Sequence, residues 1–339
     1  MKLKKQFSDF YDVIRIKEES QKLKDKREIL QKDVEQRFPD EMKSHNIELN
    51  KSDIEIFDQG SYTYNTTIKA PVIDRDVAVK IPLDIDDNPD PRKIKGYLYD
   101  ALDYVAAREV SIKEPCVNVA YYENGEEWMH IDMPLYAEYE GEVYLARGRK
   151  TGQYSWEPAD PKGLNKDLCD KINGNSQLRR MIRFVKKWRN EKYANSTLDH
   201  EIPPSIGLTY LVCDCFVEET SSDGDDDLLA LKNVMEAILS KFLKTYEDGI
   251  LVKADISRNL PVKPYSDIFQ KMRDSSDSYG ITFYKRLSTA VDNLTNALNV
   301  ENEHDAGVYV QKVLGEEFEV PPKQSASVQT NSKKEHSFG

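Results

Sequence analysis

Gly60-Ser61 is followed, thirteen residues after the serine, by Asp74-Arg75-Asp76, and this pairing constrains the chain more than any other feature. Ile73–Leu83 alternates, with Ile73, Val77, Val79 and Ile81 on one face, which predicts a strand. Residues two apart on a strand point the same way, with Cα atoms roughly 6.5–7 Å apart. Asp74 and Asp76 therefore share a face, and Arg75 turns toward the packed side. A third carboxylate stands in Trp128–Leu135, where Met129, Ile131, Met133 and Leu135 face one way and His130 and Asp132 the other. If the two strands are neighbours, three carboxylates meet. Such crowding is costly without a counterion. Two divalent ions about 3.5–4 Å apart, which clamp the attacking and leaving oxygens of an in-line displacement, supply it. Magnesium is the expected ion and manganese the alternative. Asp132 is the natural base for a ribose hydroxyl. His130 is expected to line the site or hydrogen-bond within it, because this chemistry selects oxygen ligands. Gly60 at a strand-to-helix turn lets backbone N–H groups approach a phosphate, and the Ser61 hydroxyl adds a donor.

The remaining sequence sets this constellation in an α+β chain. Residues 1–48 are charged, with Phe7, Phe10, Tyr11, Ile14, Leu23, Ile29 and Leu30 at helical spacing, and read as helices packing on the core. Residues 49–160 form a mixed sheet with helices. Strands are predicted at Ile54–Phe57, Ile73–Leu83, Val117–Ala120, Trp128–Leu135 and Glu142–Ala146, and a helix at Pro91–Arg108. Residues 147–163 read as a loop. Residues 161–320 read as a helical lobe, with segments near 164–172, 176–193, 204–219, 226–247, 264–273, 278–299 and 303–314. The acidic run Ser221–Asp227 reads as a solvated loop between helices; it lacks calcium-loop ligand spacing. Residues 321–339 have no apolar period and read as a disordered tail.

Composition then narrows the partners. The 339 residues carry a formal net charge of −12, which weighs against long nucleic acid as a main partner, since that needs a positive surface. The sequence shows no run long enough for a membrane span and no signal-peptide core, so the chain is expected in the cytoplasm. The four cysteines and five histidines are scattered, so neither a structural zinc nor disulfides are expected.

These residues resemble a known family. Gln59-Gly60-Ser61-Tyr62, Asn65-Thr66-Thr67-Ile68 and Asp74-x-Asp76-Val77-x-Val79 are similar to the signature of the cGAS/DncV-like nucleotidyltransferases and their oligoadenylate synthetase relatives. His130–Tyr136 resembles the family's third-aspartate strand, Phe184–Trp188 its helical KxW element, Pro203–Thr209 the helix start that follows, and Val313–Phe318 the close of the helical lobe in bacterial members. The similarity covers about residues 50–320. It implies a polymerase-β-like sheet domain plus a helical lobe, bilobal with a central cleft. It implies that Gly60, Ser61, Lys186 and Ser205 bind donor phosphates, while Asp74, Asp76 and Asp132 hold the metals and catalyse. Trp188 is expected to pack inside the helical lobe, and Tyr62, Tyr64 and Tyr154 to contact bases or cover the cleft. The implied activity is synthesis of cyclic (di- or tri-) or short oligonucleotide second messengers from nucleoside triphosphates, ATP and GTP foremost, in bacterial anti-phage defence. The alternative is an enzyme of the same fold that adds nucleotides to RNA or another macromolecular acceptor. Some bacterial relatives pass their C-terminus to an E1/E2-like transferase, which makes Gly339, at the end of a linker-like segment, a candidate conjugation terminus.

Overall fold

In the computed structural model, residues 2–16, 20–198 and 200–323 are described. In chain order the elements are α1 (Lys4–Ile14), α2 (Ser20–Ser44), β1 (Glu55–Gln59), β2 (Ile73–Pro82), α3 (Pro91–Leu102), β3 (Arg108–Ile112), β4 (Val117–Glu123), β5 (Glu126–Met133), β6 (Leu135–Tyr139), β7 (Glu142–Gly148), β8 (Tyr154–Pro158), α4 (Pro161–Ile172), α5 (Ser176–Lys192), α6 (Ser205–Cys215), β9 (Thr220–Ser221), β10 (Gly224–Asp225), α7 (Asp227–Ser240), β11 (Leu243–Glu247), β12 (Ile250–Asp255), α8 (Gln270–Ser275), α9 (Asp277–Asn299) and α10 (Glu303–Leu314).

The first half folds on a mixed eight-stranded sheet of order β3-β4-β5-β2-β6-β7-β8, with β1 antiparallel to β2. β2 pairs in parallel first with β5 and then with β6. The expected single strand Trp128–Leu135 is in fact two, because Pro134 has no N–H to donate. Its carbonyl instead accepts the N–H of Val79 at 3.0 Å.

Two hydrophobic cores result. One joins α2 residues Leu23, Leu30, Val34, Phe38 and Met42 to the apolar face of the sheet and α3. The other is helical, and α1 belongs to it: Phe7, Phe10 and Ile14 pack with Phe184, Leu231, Val234 and Phe318. Phe7 and Phe10 lie 5.2 and 5.4 Å, centroid to centroid, from Phe318.

Several expected boundaries move. The helix from Pro91 ends at Leu102, because the buried Arg108 guanidinium donates to the Leu102 carbonyl at 3.1 and 2.7 Å and the chain leaves as β3. The expected loop 147–163 contains β8 and the start of α4, where Asp160 accepts the Gly163 N–H at 2.7 Å and Pro161 takes the first turn. The expected helix 204–219 ends at Cys215, where Phe216 turns extended. The segment expected at 226–247 is a helix only to Ser240; a hairpin of β11 and β12 follows, turning at Asp248-Gly249, both with positive φ. The helix expected at 264–273 is the shorter α8. The acidic run is more than a solvated loop: Asp226 caps α7, and Asp225 and Asp227 pair with Arg180 at 2.7 and 2.6 Å. The tail beyond residue 323, with Gly339, lies outside the described residues. Among the described residues no helix is long and apolar enough to cross a membrane.

Candidate active site

Strand register assembles the acidic centre. In the parallel β2–β5 pair, Asp74 stands beside His130 and Asp76 beside Asp132. Carboxylate oxygens of Asp74 and Asp132 and a ring nitrogen of His130 all lie within 4.8 Å of one another. His130 Nε2 is 3.3 Å from Asp74, and its Nδ1 is 2.8 Å from Glu127. Hydrogen bonding to Asp74 and Glu127 raises the His130 imidazole to about 9, against the opposing effect of burial. Asp132 is oriented from β4, its antiparallel neighbour: Asn118 Nδ2 donates to Oδ1 at 2.6 Å, and Lys113 lies 3.4 Å away.

Asp76 sits deeper, turned against Gly60. Burial first, and then the charges of Asp74 and Asp132, hold its carboxyl well above the usual carboxylate range. This is a half-buried acid crowded by like charge, in a group of oxygen donors, which is the environment a hard divalent cation satisfies. The residues present fit such an ion. Arg75 faces the packed side, 2% exposed. It donates to Asp58 Oδ1 at 3.1 and 2.8 Å and to the Leu23 carbonyl at 3.0 Å, and it lies 3.9 Å over the Tyr62 ring.

The second half of the site comes from the turn after β1 and from the helices. Gly60 takes φ +70°, open to glycine at little cost. Ser61 follows it, its Oγ 3.0 Å from Thr67 Oγ1. A cavity of about 440 Å³ brings together Gly60, Ser61, Tyr64, Asp74, Asp76, Lys186 and Ser205. Lys186, buried on α5, donates to the Thr66 hydroxyl at 3.1 Å and the Thr66 carbonyl at 3.3 Å. Burial, with Arg183 and Arg189 nearby, pushes its ammonium down to about 7. Ser205 opens α6, without a capping side chain before it. Lys187 points elsewhere, to Glu191 at 2.7 Å and Glu317 at 2.5 Å. Trp188 is fully buried, 6.2 Å from Phe283. Of the three tyrosines, Tyr64 lines the cavity, Tyr62 stacks on Arg75, and Tyr154 stacks 4.1 Å from Arg92 on edge strand β8. A larger groove of about 1160 Å³ lies among α5, α9 and α10, lined by lysines and glutamates together. It holds none of the carboxylates on β2 and β5.

Sequence reasoning missed Asn118, and it quoted Thr66 only within the Asn65–Ile68 motif, without its contact to Lys186. The signal for Asn118 was available once β4 and β5 were seen as a hairpin, since a polar residue among the apolar ones of Val117–Ala120 falls opposite Asp132.

A glycine turn and carboxylates on adjoining parallel strands, facing a lysine from a helical lobe, define a nucleotidyltransferase of the polymerase-β type. Residues 54–136 match the family model for the nucleotidyltransferase domain of cyclic GMP-AMP synthase DncV-like proteins. Over those residues the chain carries a DncV-like nucleotidyltransferase domain. The fold is similar to that of Vibrio cholerae DncV cyclic AMP-GMP synthase in complex with nonhydrolyzable GTP (TM-score 0.69, 17% identity, covering 94% of this chain and 97% of that one). It is also similar to Bradyrhizobium diazoefficiens CdnG in complex with GTP (TM-score 0.68, 14% identity, 92% and 95%). Escherichia coli DncV in its 3'-deoxy GTP bound form matches with a TM-score of 0.66 at 17% identity, over 92% and 97%.

Proposed function

We propose that this enzyme joins nucleoside triphosphates, ATP and GTP foremost, into a cyclic (di- or tri-) or short oligonucleotide, used as a second messenger in bacterial anti-phage defence. The observation that carries the reading is the cavity in which the half-buried Asp76 faces both the Gly60-Ser61 turn and Lys186. It offers one triphosphate a site with an anionic end for metal and a cationic end for phosphate.

Gly60 and Ser61 hold the donor phosphates through N–H and hydroxyl donors, and Lys186 balances their charge. Asp74, Asp76 and Asp132 would hold divalent ions, which would supply charge neutralisation and polarisation of the reacting oxygens. A ribose hydroxyl forms the new O–P bond at the donor's α-phosphorus, the bond to the bridging α–β oxygen breaks, and pyrophosphate leaves. Asp132, oriented by Asn118, accepts the hydroxyl proton. Repeating the step on the product's own hydroxyl closes a ring or extends the chain.

The macromolecular-acceptor alternative needs a basic track for RNA. Three of the basic residues of α5 are engaged inside the fold instead: Arg180 with Asp225 and Asp227, Arg189 with the Pro203 carbonyl, Arg183 with Thr67 and Asn65. The test is incubation with all four triphosphates and magnesium, with and without RNA, followed by mass spectrometry. A soluble oligonucleotide formed without RNA supports the reading. Extension of RNA, with no soluble product, sinks it in favour of the alternative.

A further inference from the structure

We infer that Arg183 is a positioning residue for the donor-phosphate loop, and that Tyr11 of the N-terminal helix completes its hold on that loop. The inference rests on the reading of Gly60 and Ser61 as donor-phosphate ligands.

The loop has little structure of its own to hold it. After β1 the chain makes one short helical turn at Gly60–Tyr62 and then runs irregularly to Ile68. Its internal ties are the turn bonds Thr63 N–H to the Gly60 carbonyl at 3.1 Å and Asn65 N–H to the Tyr62 carbonyl at 3.2 Å, the Thr66 N–H to the Ser61 carbonyl at 2.8 Å, and the Ser61–Thr67 hydroxyl pair. Asn65 takes φ +55°, a left-handed conformation that surroundings must hold in a non-glycine residue.

Arg183 supplies that hold. Its Nε donates to the Thr67 carbonyl at 3.1 Å, its Nη2 to Asn65 Oδ1 at 2.9 Å, and its Nη1 to the Tyr11 hydroxyl at 2.5 Å. Three residues further along α5, on the same face, Lys186 takes Thr66. Two cations one turn apart thus grip three consecutive loop residues. Thr67, fixed by Arg183, is the residue whose hydroxyl meets Ser61. From the other side α1 closes on the loop's end, where the Lys69 N–H donates to the Ile14 carbonyl at 2.6 Å and Arg15 bridges Ile68.

A purely structural role would be an expensive use of this side chain. Arg183 is 3% exposed, and the hydrogen bonds it makes go to neutral oxygens rather than to a carboxylate. Burying a charge without an opposite charge costs free energy that an apolar residue avoids. The planar guanidinium reaches three acceptors at fixed angles, which a lysine cannot. A positive charge behind the loop also favours an incoming triphosphate.

The test uses the full-length protein with R183K, R183M and Y11F. Two quantities are read: affinity for a nonhydrolysable triphosphate by calorimetry, and amide hydrogen exchange. For R183M we expect affinity about tenfold weaker, the scale of losing one charge-assisted contact, and faster exchange confined to residues 60–68. R183K should fall between R183M and the native chain, and Y11F, which keeps the cation, should lose about threefold. Native affinity with native exchange at 60–68 in R183M overturns the inference. So does faster exchange spread through α5, α7 and α9, which marks a structural role alone. Should R183M fail to fold, native affinity in Y11F together with native or lysine-independent affinity in R183K overturns it. A native chain that binds no triphosphate at all defeats the nucleotidyltransferase site itself, and is thereby distinct from the failure of Arg183 alone.

Discussion

Gly60 lies so close to Asp76 that a Cβ placed on it would stand 2.1 Å from the aspartate's Oδ2. The turn proposed to bind phosphate and the carboxylate proposed to bind metal are therefore packed as one object. The residue at position 60 must lack a side chain for two separate reasons, because φ +70° is itself unfavourable to others. Gly60→Ala should cost about 1 kcal/mol of backbone strain and displace Asp76 or the turn by a large fraction of an ångström. Misplacement of that size costs catalysis about 100-fold. Product formation by chromatography, beside circular dichroism of the same sample, tests it; near-native turnover in a folded variant would refute the packing argument.

Asp74→Asn with Asp76→Asn should reduce synthesis at least about 100-fold while raising the melting temperature. The pH dependence follows from the raised Asp76 carboxyl. An acid whose folded pKa lies above its unfolded value binds protons more tightly in the folded state. It therefore costs nothing at low pH, and costs most above its folded pKa. In chelator-treated samples the stability advantage of Asp76→Asn over the native chain should grow as pH rises and vanish as pH falls to the ordinary carboxylate range. An advantage that is flat with pH would contradict this.

Lys186→Ala should raise the KM for triphosphate roughly tenfold or more, the scale of one charge-assisted hydrogen bond. Lys187→Ala should change it by less than about twofold, because that amine points away from the cavity and is held by Glu191 and Glu317. Steady-state kinetics of the two variants side by side decide it. The reverse order would mean that the lysines exchange roles in solution.

Lys95 tests the sheet's support. Its amine is fully buried and donates to the carbonyls of Lys113, Glu114 and Gly148 at 2.7, 2.8 and 2.6 Å. Lys95→Met should lose about 3 kcal/mol, since three carbonyls lose the ammonium as donor, although the Glu114 carbonyl keeps the Gly148 N–H at 2.9 Å. Burial pushes the native ammonium down to about 8. The folded state thus releases its proton before the unfolded state does, and native stability should rise relative to Lys95→Met between pH 8 and the ordinary lysine range. Denaturant melts at pH 7 and pH 10 measure both effects.

The polar face of β2 and β5 was legible because a strand has period two and the apolar residues name the opposite face. The same parity turned Arg75 inward, where Asp58 and Tyr62 receive it. β11 was misread as the end of the helix expected at 226–247, because Phe242, Leu243 and Tyr246 fall three and four apart. The contrary signal was local: Asp248-Gly249 is a two-residue turn sequence suited to the positive φ angles both residues adopt. Arg183 could not be read at all. Its partners Tyr11, Asn65 and Thr67 are over a hundred residues away in sequence, and only tertiary packing brings them to α5.

The helical core is sewn from both ends of the described chain, since α1 is embedded among α5, α7 and Phe318. During synthesis the apolar stripe of Phe7, Phe10 and Ile14 emerges first and its partner Phe318 about three hundred residues later. At ribosomal speeds that is roughly 15–60 s of exposure. The sheet unit, contiguous from α2 to β8, has everything it needs well before then. The residues of the sheet core are thus all made before those that cover α1, and the contacts that seat α1 over the Gly60–Ile68 loop can be complete only once the last helices are made.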